Sequence, residues 1–124
     1  MDDSPDAEFA RRLIENFSLT AADLVIEVGS GTGARLRAIR DRGPRVVGVE
    51  TELVTMVIAW NARIDTICAA FDERLARYLV GRYGAARVVI LSEDTLRDVA
   101  RTCLAPGGTI VRGDEVPAPA RRAA

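Results

Sequence analysis

The sequence predicts a mixed α/β domain: a mainly parallel sheet with helices packed on both faces. Three observations point there. Short Val- and Ile-rich runs at 24–28, 45–49, 87–91 and 109–111 alternate with longer stretches of helical periodicity. Three glycines, Gly29, Gly31 and Gly33, follow the first run directly. The 124 residues, 48% of them hydrophobic, suffice for one core and no more.

The elements follow in order. Phe9, Leu13, Ile14 and Phe17 recur at helical spacing, which predicts an amphipathic helix over 7–17. Leu24–Val28 reads as a buried strand, and ARLRAIRDRG as a helix stopped by Gly43 and Pro44. RVVGV is the second strand, and a helix from Glu52 to about Ala62 is apolar on more than one face. Residues 65–69 are open to two readings, a short strand or an extension of that helix. Phe71–Tyr83 is helical, RVVIL is a strand, and Asp94–Leu104 is a helix with Leu96, Val99, Ala100 and Cys103 on one face. Pro106, Gly107 and Gly108 break it before the strand TIV. Right-handed crossovers then imply the strand order 3-2-1-4-5, or 2-1-4-5 if Thr66–Ala69 is no strand. We expect one domain over residues 1–114 and a disordered tail over 115–124, EVPAPARRAA, which lacks a core-forming pattern.

Composition excludes several functions. Seventeen basic against eighteen acidic residues leave no positive excess for holding nucleic acid. No apolar run reaches membrane-spanning length, and MDDSPDAEF is too acidic for a secretion signal, so a cytoplasmic protein is expected. Cys68 and Cys103 read as buried reduced thiols. With no histidine, the commonest neutral-pH base and zinc ligand is missing, and no metal site is expected.

The glycines carry the functional signal. Lacking Cβ, they allow positive φ and let a ligand lie against the backbone at the start of a helix. Glu50 ends the second strand, where a carboxylate can accept two hydrogen bonds from ribose hydroxyls. GSGTGA also fits a dinucleotide fingerprint. Glu27, however, stands two residues before the first glycine, where it would repel a pyrophosphate and attract a cation.

Through VIEVGSGTG, VVGVE and LAPGGTIV the chain resembles the class I S-adenosylmethionine-dependent methyltransferases, over about residues 7–112. RDRGPRVVGVE is most similar to the core domain of the sugar C-methyltransferases of natural-product pathways. The resemblance implies a Rossmann-like fold and S-adenosylmethionine as cofactor. It implies cofactor contacts from Glu27, Gly29, Ser30, Gly31, Gly33, Glu50, Cys68, Ala69 and Ser92. Cys68 and Ala69 would lie near the adenine, where the family tends to carry Asp or Asn; a thiol is a weaker partner.

Relative to the family, the passage RVVILSEDTL is short, and a sixth and seventh strand and a zinc-binding cysteine domain are not within these residues. Glu93 and Asp94 stand where an acceptor would sit and are the candidate catalytic bases, ahead of Tyr78 and Tyr83. Each also has a plain structural reading, with Ser92 capping the helix and the two acids favoured in its first turn. Three functions stay open: a methyltransferase acting on a small metabolite, a non-catalytic relative serving as an interaction or regulatory module, and an enzyme repurposed on this fold. The apolar second helix around Met56, Val57 and Trp60, and an open fifth-strand edge, imply a homodimer.

Overall fold

The structure, a computed structural model, describes residues 4–115. Helix α1 (Pro5–Phe17) opens with Pro5 in its first turn and the Ser4 Oγ accepting the Ala7 N–H at 3.1 Å. It ends at Ser18, whose φ of 51° stops the helix. There follow β1 (Leu24–Val28), α2 (Ala34–Arg40), β2 (Arg45–Glu50), α3 (Leu53–Asn61), β3 (Thr66–Cys68), α4 (Glu73–Tyr83) and β4 (Ala86–Leu91). A single 3₁₀ turn (Asp94–Leu96) leads into α5 (Arg97–Cys103) and β5 (Leu104–Arg112).

The strands form one parallel sheet in the order β3-β2-β1-β4-β5. Its central strand β1 pairs Val25 with both Val46 and Val88, and every β1 residue is buried. A strand covered on both faces needs apolar residues throughout, and Glu27 alone breaks that rule here. Alternation divides the core in two. Leu24, Ile26, Val28, Val47, Val49, Val89 and Leu91 pack with Ala76 and Leu79 of α4 and Ala100 and Cys103 of α5. Val25, Val46, Val88 and Ile90 pack with Phe9 and Leu13 of α1, Leu36 and Ile39 of α2 and Ala59 of α3. Each fully buried Leu, Ile, Val or Phe side chain among them contributes about 1.5–3 kcal/mol.

Thr66–Cys68 is a strand, which settles the ambiguous segment and the five-strand order. Other details differ from expectation. Pro106, Gly107 and Gly108 do not precede the fifth strand. Leu104 already pairs with Ala86, and the intervening residues bulge before Thr109 meets Val88. The helix expected from Asp94 begins as a 3₁₀ turn with Glu93, not Ser92, at its N-terminal boundary, and no side chain caps it. Cys68 is exposed, because it lies at the end of an edge strand; only Cys103 is buried, and both thiols are free. Met56 is buried beneath α3 and belongs to no surface, whereas Leu53, Val54, Val57, Ile58 and Trp60 are exposed. Of the expected tail, residues 116–124 lie outside the described residues.

Candidate functional site

Parallel α/β sheets bind ligands at the carboxyl ends of their strands, where the strand order reverses. That point lies between β1 and β4, and a cleft of about 310 Å³ opens there, at the lower end of the range for small-molecule sites. Val28, Gly29, Val49 and Thr51 form its β1–β2 wall, Ala69, Ala70 and Phe71 its β3 side, and Ser92, Glu93 and Leu96 its β4 side. A larger cavity of about 480 Å³ lies behind the loop, between the start of α1, α2 and α3, away from the strand ends.

The loop Gly29–Gly33 is fixed by backbone bonds. The N–H groups of Gly29 and Ser30 donate to the Val49 carbonyl at 2.8 and 3.2 Å, and Gly33 N–H donates to Ser30 at 3.0 Å. Gly29, Gly31 and Gly33 have φ of 78°, 60° and 83°, the left-handed region that L side chains resist. A Cβ on Gly31 would meet nothing within 4 Å, so the turn leaves open space for a ligand. Gly48 serves the same turn from below: a Cβ there would lie 2.9 Å from that of Ser30 and push the loop outward.

Glu50 is tied to the loop. Its Oε1 accepts the Gly31 N–H at 2.9 Å and its Oε2 the Glu52 N–H at 2.8 Å. A carboxylate has about four acceptor positions, so each oxygen keeps capacity for a hydroxyl donor. The side chain is half-buried and orientated before any ligand arrives.

The other expected contacts divide. Gly29, Ala69, Ser92 and Glu93 line the cleft. Cys68 pairs in register with Glu50 and directs its Sγ to the Thr51 carbonyl at 3.6 Å, outside the lining residues. Ser30 is buried with its hydroxyl beneath Gly48. Glu27 shares a face with Val25, toward α1 and α2, and so lies on the other side of the sheet from the cleft. Its Oε2 accepts from Arg35 at 3.1 Å, while its Oε1 is buried with no hydrogen-bond partner among the described residues. Burial outweighs the attraction of Arg35 and pushes the carboxyl up to about 7. Arg35 itself is wedged over the Phe9 ring at 4.2 Å and beside Asp6 at 3.7 Å.

On the β4 side, Ser92, Glu93 and Asp94 are all exposed. Asp94 is held by Arg97 and Arg112, each at 3.0 Å, and the Arg97 hydrogen bond is the main cause that lowers its pKa. An acid stabilised as its anion is a weak base. Glu93 accepts only from the Thr95 hydroxyl, at 3.2 Å, among the bonds described. Tyr83 is half-buried against the core, and Tyr78 is exposed on α4; neither lines the cleft. Sequence reasoning missed Phe71, the one aromatic lining the cleft, because it reads there as the start of a helix. Asp72, which caps α4 by accepting the Leu75 N–H at 2.8 Å, was the signal that Phe71 stands before the helix. Among the described residues no cluster of acids and cysteines could hold a metal ion, and no helix is long and apolar enough to cross a membrane.

Glycine loop, second-strand carboxylate and strand order make a Rossmann-like α/β fold of the kind found in class I S-adenosylmethionine-dependent methyltransferases, and comparison with known proteins agrees with that fold. No family model matches the chain. Among curated proteins, C-methyltransferase NovU of Streptomyces niveus is 41% identical over 76 residues, 61% of this chain and 18% of NovU. Ribosomal RNA small subunit methyltransferase A of Mycolicibacterium gilvum is 43% identical over 49 residues, 40% of this chain and 16% of that protein. The chain therefore matches less than a fifth of either relative's length. Among solved structures, the CcbJ methyltransferase from Streptomyces caelestis superposes with a TM-score of 0.66 at 26% identity, over 88% of this chain and 49% of CcbJ. A 2-haloacrylate reductase shares the fold as well, with a TM-score of 0.68 at 22% identity over 94% of this chain and 39% of its own.

Proposed function

We propose that this protein binds S-adenosylmethionine in the cleft at the strand ends and belongs to a methyl-transfer reaction on a small metabolite, in the manner of sugar C-methyltransferases of natural-product pathways. The observation that carries the reading is Glu50, poised against Gly31 with acceptor capacity left on both oxygens. The residues present fit the cofactor. Glu50 would accept the ribose hydroxyls, the Gly29–Gly33 backbone would approach the methionine part, and Ala69, Phe71 and Leu96 would wall the adenine. When bound, the cofactor supplies an activated methyl group, so the protein need only align and desolvate the acceptor. Glu93 is the carboxylate available to take a proton there. The match to a C-methyltransferase supports the small-molecule acceptor, and the two free thiols suit a cytoplasmic location. A second copy of the chain would complete the wall that the short β4–α5 passage leaves open.

A second reading has its own observation: Asp94 is neutralised by two arginines and Glu93 is exposed, as in a protein that binds cofactor without turning it over. Parallel calorimetric titrations with S-adenosylmethionine, S-adenosylhomocysteine and NAD test the cofactor. Binding of the first two alone is expected; binding of NAD alone would overturn the reading. Methyl release from labelled cofactor then separates enzyme from binding module.

A further inference from the structure

We propose that Glu27, Ser30 and Arg35 hold one buried water beneath the Gly29–Gly33 loop, and that this water ties the loop to a buried acid. The water site lies on the face of β1 turned away from the cleft and is separate from the cofactor contacts above.

Three polar atoms on that face are buried without a hydrogen-bond partner among the described residues: Glu27 Oε1, Ser30 Oγ and Arg35 Nε. The fold brings them together. Glu27 pairs in register with Gly48 on β2, which puts the two Cβ positions on one face of the sheet, about 5 Å apart. The Ser30 hydroxyl fills the place a Gly48 Cβ would take, beside Glu27. Arg35 Nη1 donates to the other carboxylate oxygen, Oε2, at 3.1 Å, so the guanidinium carries its Nε to the same carboxylate. The walls are apolar. Leu36 Cδ1 lies 3.2 Å from that Gly48 position, and the Phe9 ring centre lies 4.2 Å from the guanidinium carbon. Glu27 and Ser30 are only 7% and 8% exposed, so bulk solvent does not serve their free atoms.

Buried polar groups left unpaired are costly, and a buried water typically makes about three hydrogen bonds to groups that would otherwise lack partners. Here donors and acceptors balance around one water: Oε1 accepts, Nε donates and the Ser30 hydroxyl can do either. The charged groups facing Glu27 are Arg35 from α2 and Asp6 from α1; burial outweighs both, and the carboxyl titrates at about 7. When it loses its proton, the water turns a hydrogen to Oε1 and the Ser30 hydroxyl reorients with it. The Ser30 N–H bonds the Val49 carbonyl at 3.2 Å, so the change reaches the loop backbone. Under the cofactor reading above, on which this one consequence rests, cofactor affinity would vary with pH near neutrality.

Nuclear magnetic resonance of the full 124-residue chain tests the water site with no cofactor added, so the outcome is independent of the cofactor reading. The amide resonances of Ser30 and Gly31 are followed through a pH titration beside the carboxyl carbon of Glu27. All three should step at one shared midpoint, and Overhauser transfer from a long-lived water should reach the Ser30 amide. In Glu27→Gln the amides should lose that step. In Ser30→Ala Glu27 should still titrate, but the loop amides should no longer follow it. If Ser30→Ala does not fold, the native protein and Glu27→Gln decide alone. Native amides that ignore the Glu27 step would overturn the link to the loop. Amides that follow it without transfer from water would mean that hydroxyl and carboxylate bond directly, which would overturn the water site.

Discussion

On the β1–β2 side of the cleft the polar groups are held before a ligand arrives, whereas on the β4 side they face solvent. Glu50 takes two backbone N–H groups, and the three loop glycines sit in left-handed turns above a fully buried strand. Ser92, Glu93, Asp94 and Thr95 are all exposed, on a segment that manages one turn of 3₁₀ helix. Preorganised groups act without reorganising at the moment of need, and flexible exposed ones do not. Under the proposed function, the half that would bind the cofactor is specified more firmly than the half that would react.

Breaking the binding half should cost most. Gly33→Val forces a β-branched residue to φ near 83° and brings its Cβ to 3.2 Å from the Ile64 side chain. Strain and overpacking each cost 1–3 kcal/mol, so a loss of roughly 3–4 kcal/mol is expected in urea unfolding. Gly31→Ala meets no protein atom within 4 Å, so it carries only the backbone strain of φ near 60°, about 1 kcal/mol, and should lower ligand affinity as well.

Glu27 marks the same half by its burial. Its folded pKa, about 7, lies above the ordinary value of 4.5, so folding favours the protonated acid. Stability from this group is fully present below pH 4.5 and is lost as pH rises to 7. The swing is about 3 kcal/mol at 1.36 kcal/mol per pH unit. Glu27→Gln, which cannot ionise, should gain on the native protein by about that amount between pH 4.5 and 8. Parallel unfolding curves with no pH-dependent difference would remove the buried-acid assignment.

Glu50→Ala sharpens the comparison at the ligand. Loss of charge-assisted hydrogen bonds should weaken S-adenosylmethionine binding by about 1.5–3 kcal/mol, read by calorimetry. Unchanged affinity would detach Glu50 from the ribose.

Much of the loop and carboxylate geometry on the β1–β2 side was legible in the sequence because its determinants are local. A glycine cluster after a Val/Ile run and an acid at the end of the next strand are patterns of spacing. What could not be read is set by tertiary geometry. Whether Glu27 faces the cleft or α2 depends on which face of β1 each layer covers. That Cys68 is exposed depends on β3 being an edge only three residues long. The bulge at Ala105–Gly108 follows from the register with β4, where Leu104 pairs too early for a plain turn. Asp94 and Arg112, eighteen residues apart in the numbering, meet only because β5 lies beside β4.

The smallest effect is expected on the β4 side, and it is the most discriminating. Asp94 is exposed and shares its charge with Arg97 and Arg112, an arrangement that stabilises a surface little. Asp94→Asn should therefore leave the urea unfolding midpoint and the cofactor affinity unchanged. If the chain transfers methyl groups, the same change should also leave the rate nearly intact, because guanidinium-bound Asp94 is a weak base and does not line the cleft. Glu93→Gln, at a position that does line the cleft, should lower the rate while leaving affinity alone. The pair is best compared by single-turnover methyl transfer at saturating cofactor. A large loss in Asp94→Asn with none in Glu93→Gln would mean that the arginines release Asp94 when ligand binds, and that the β4 side is built by the ligand it receives.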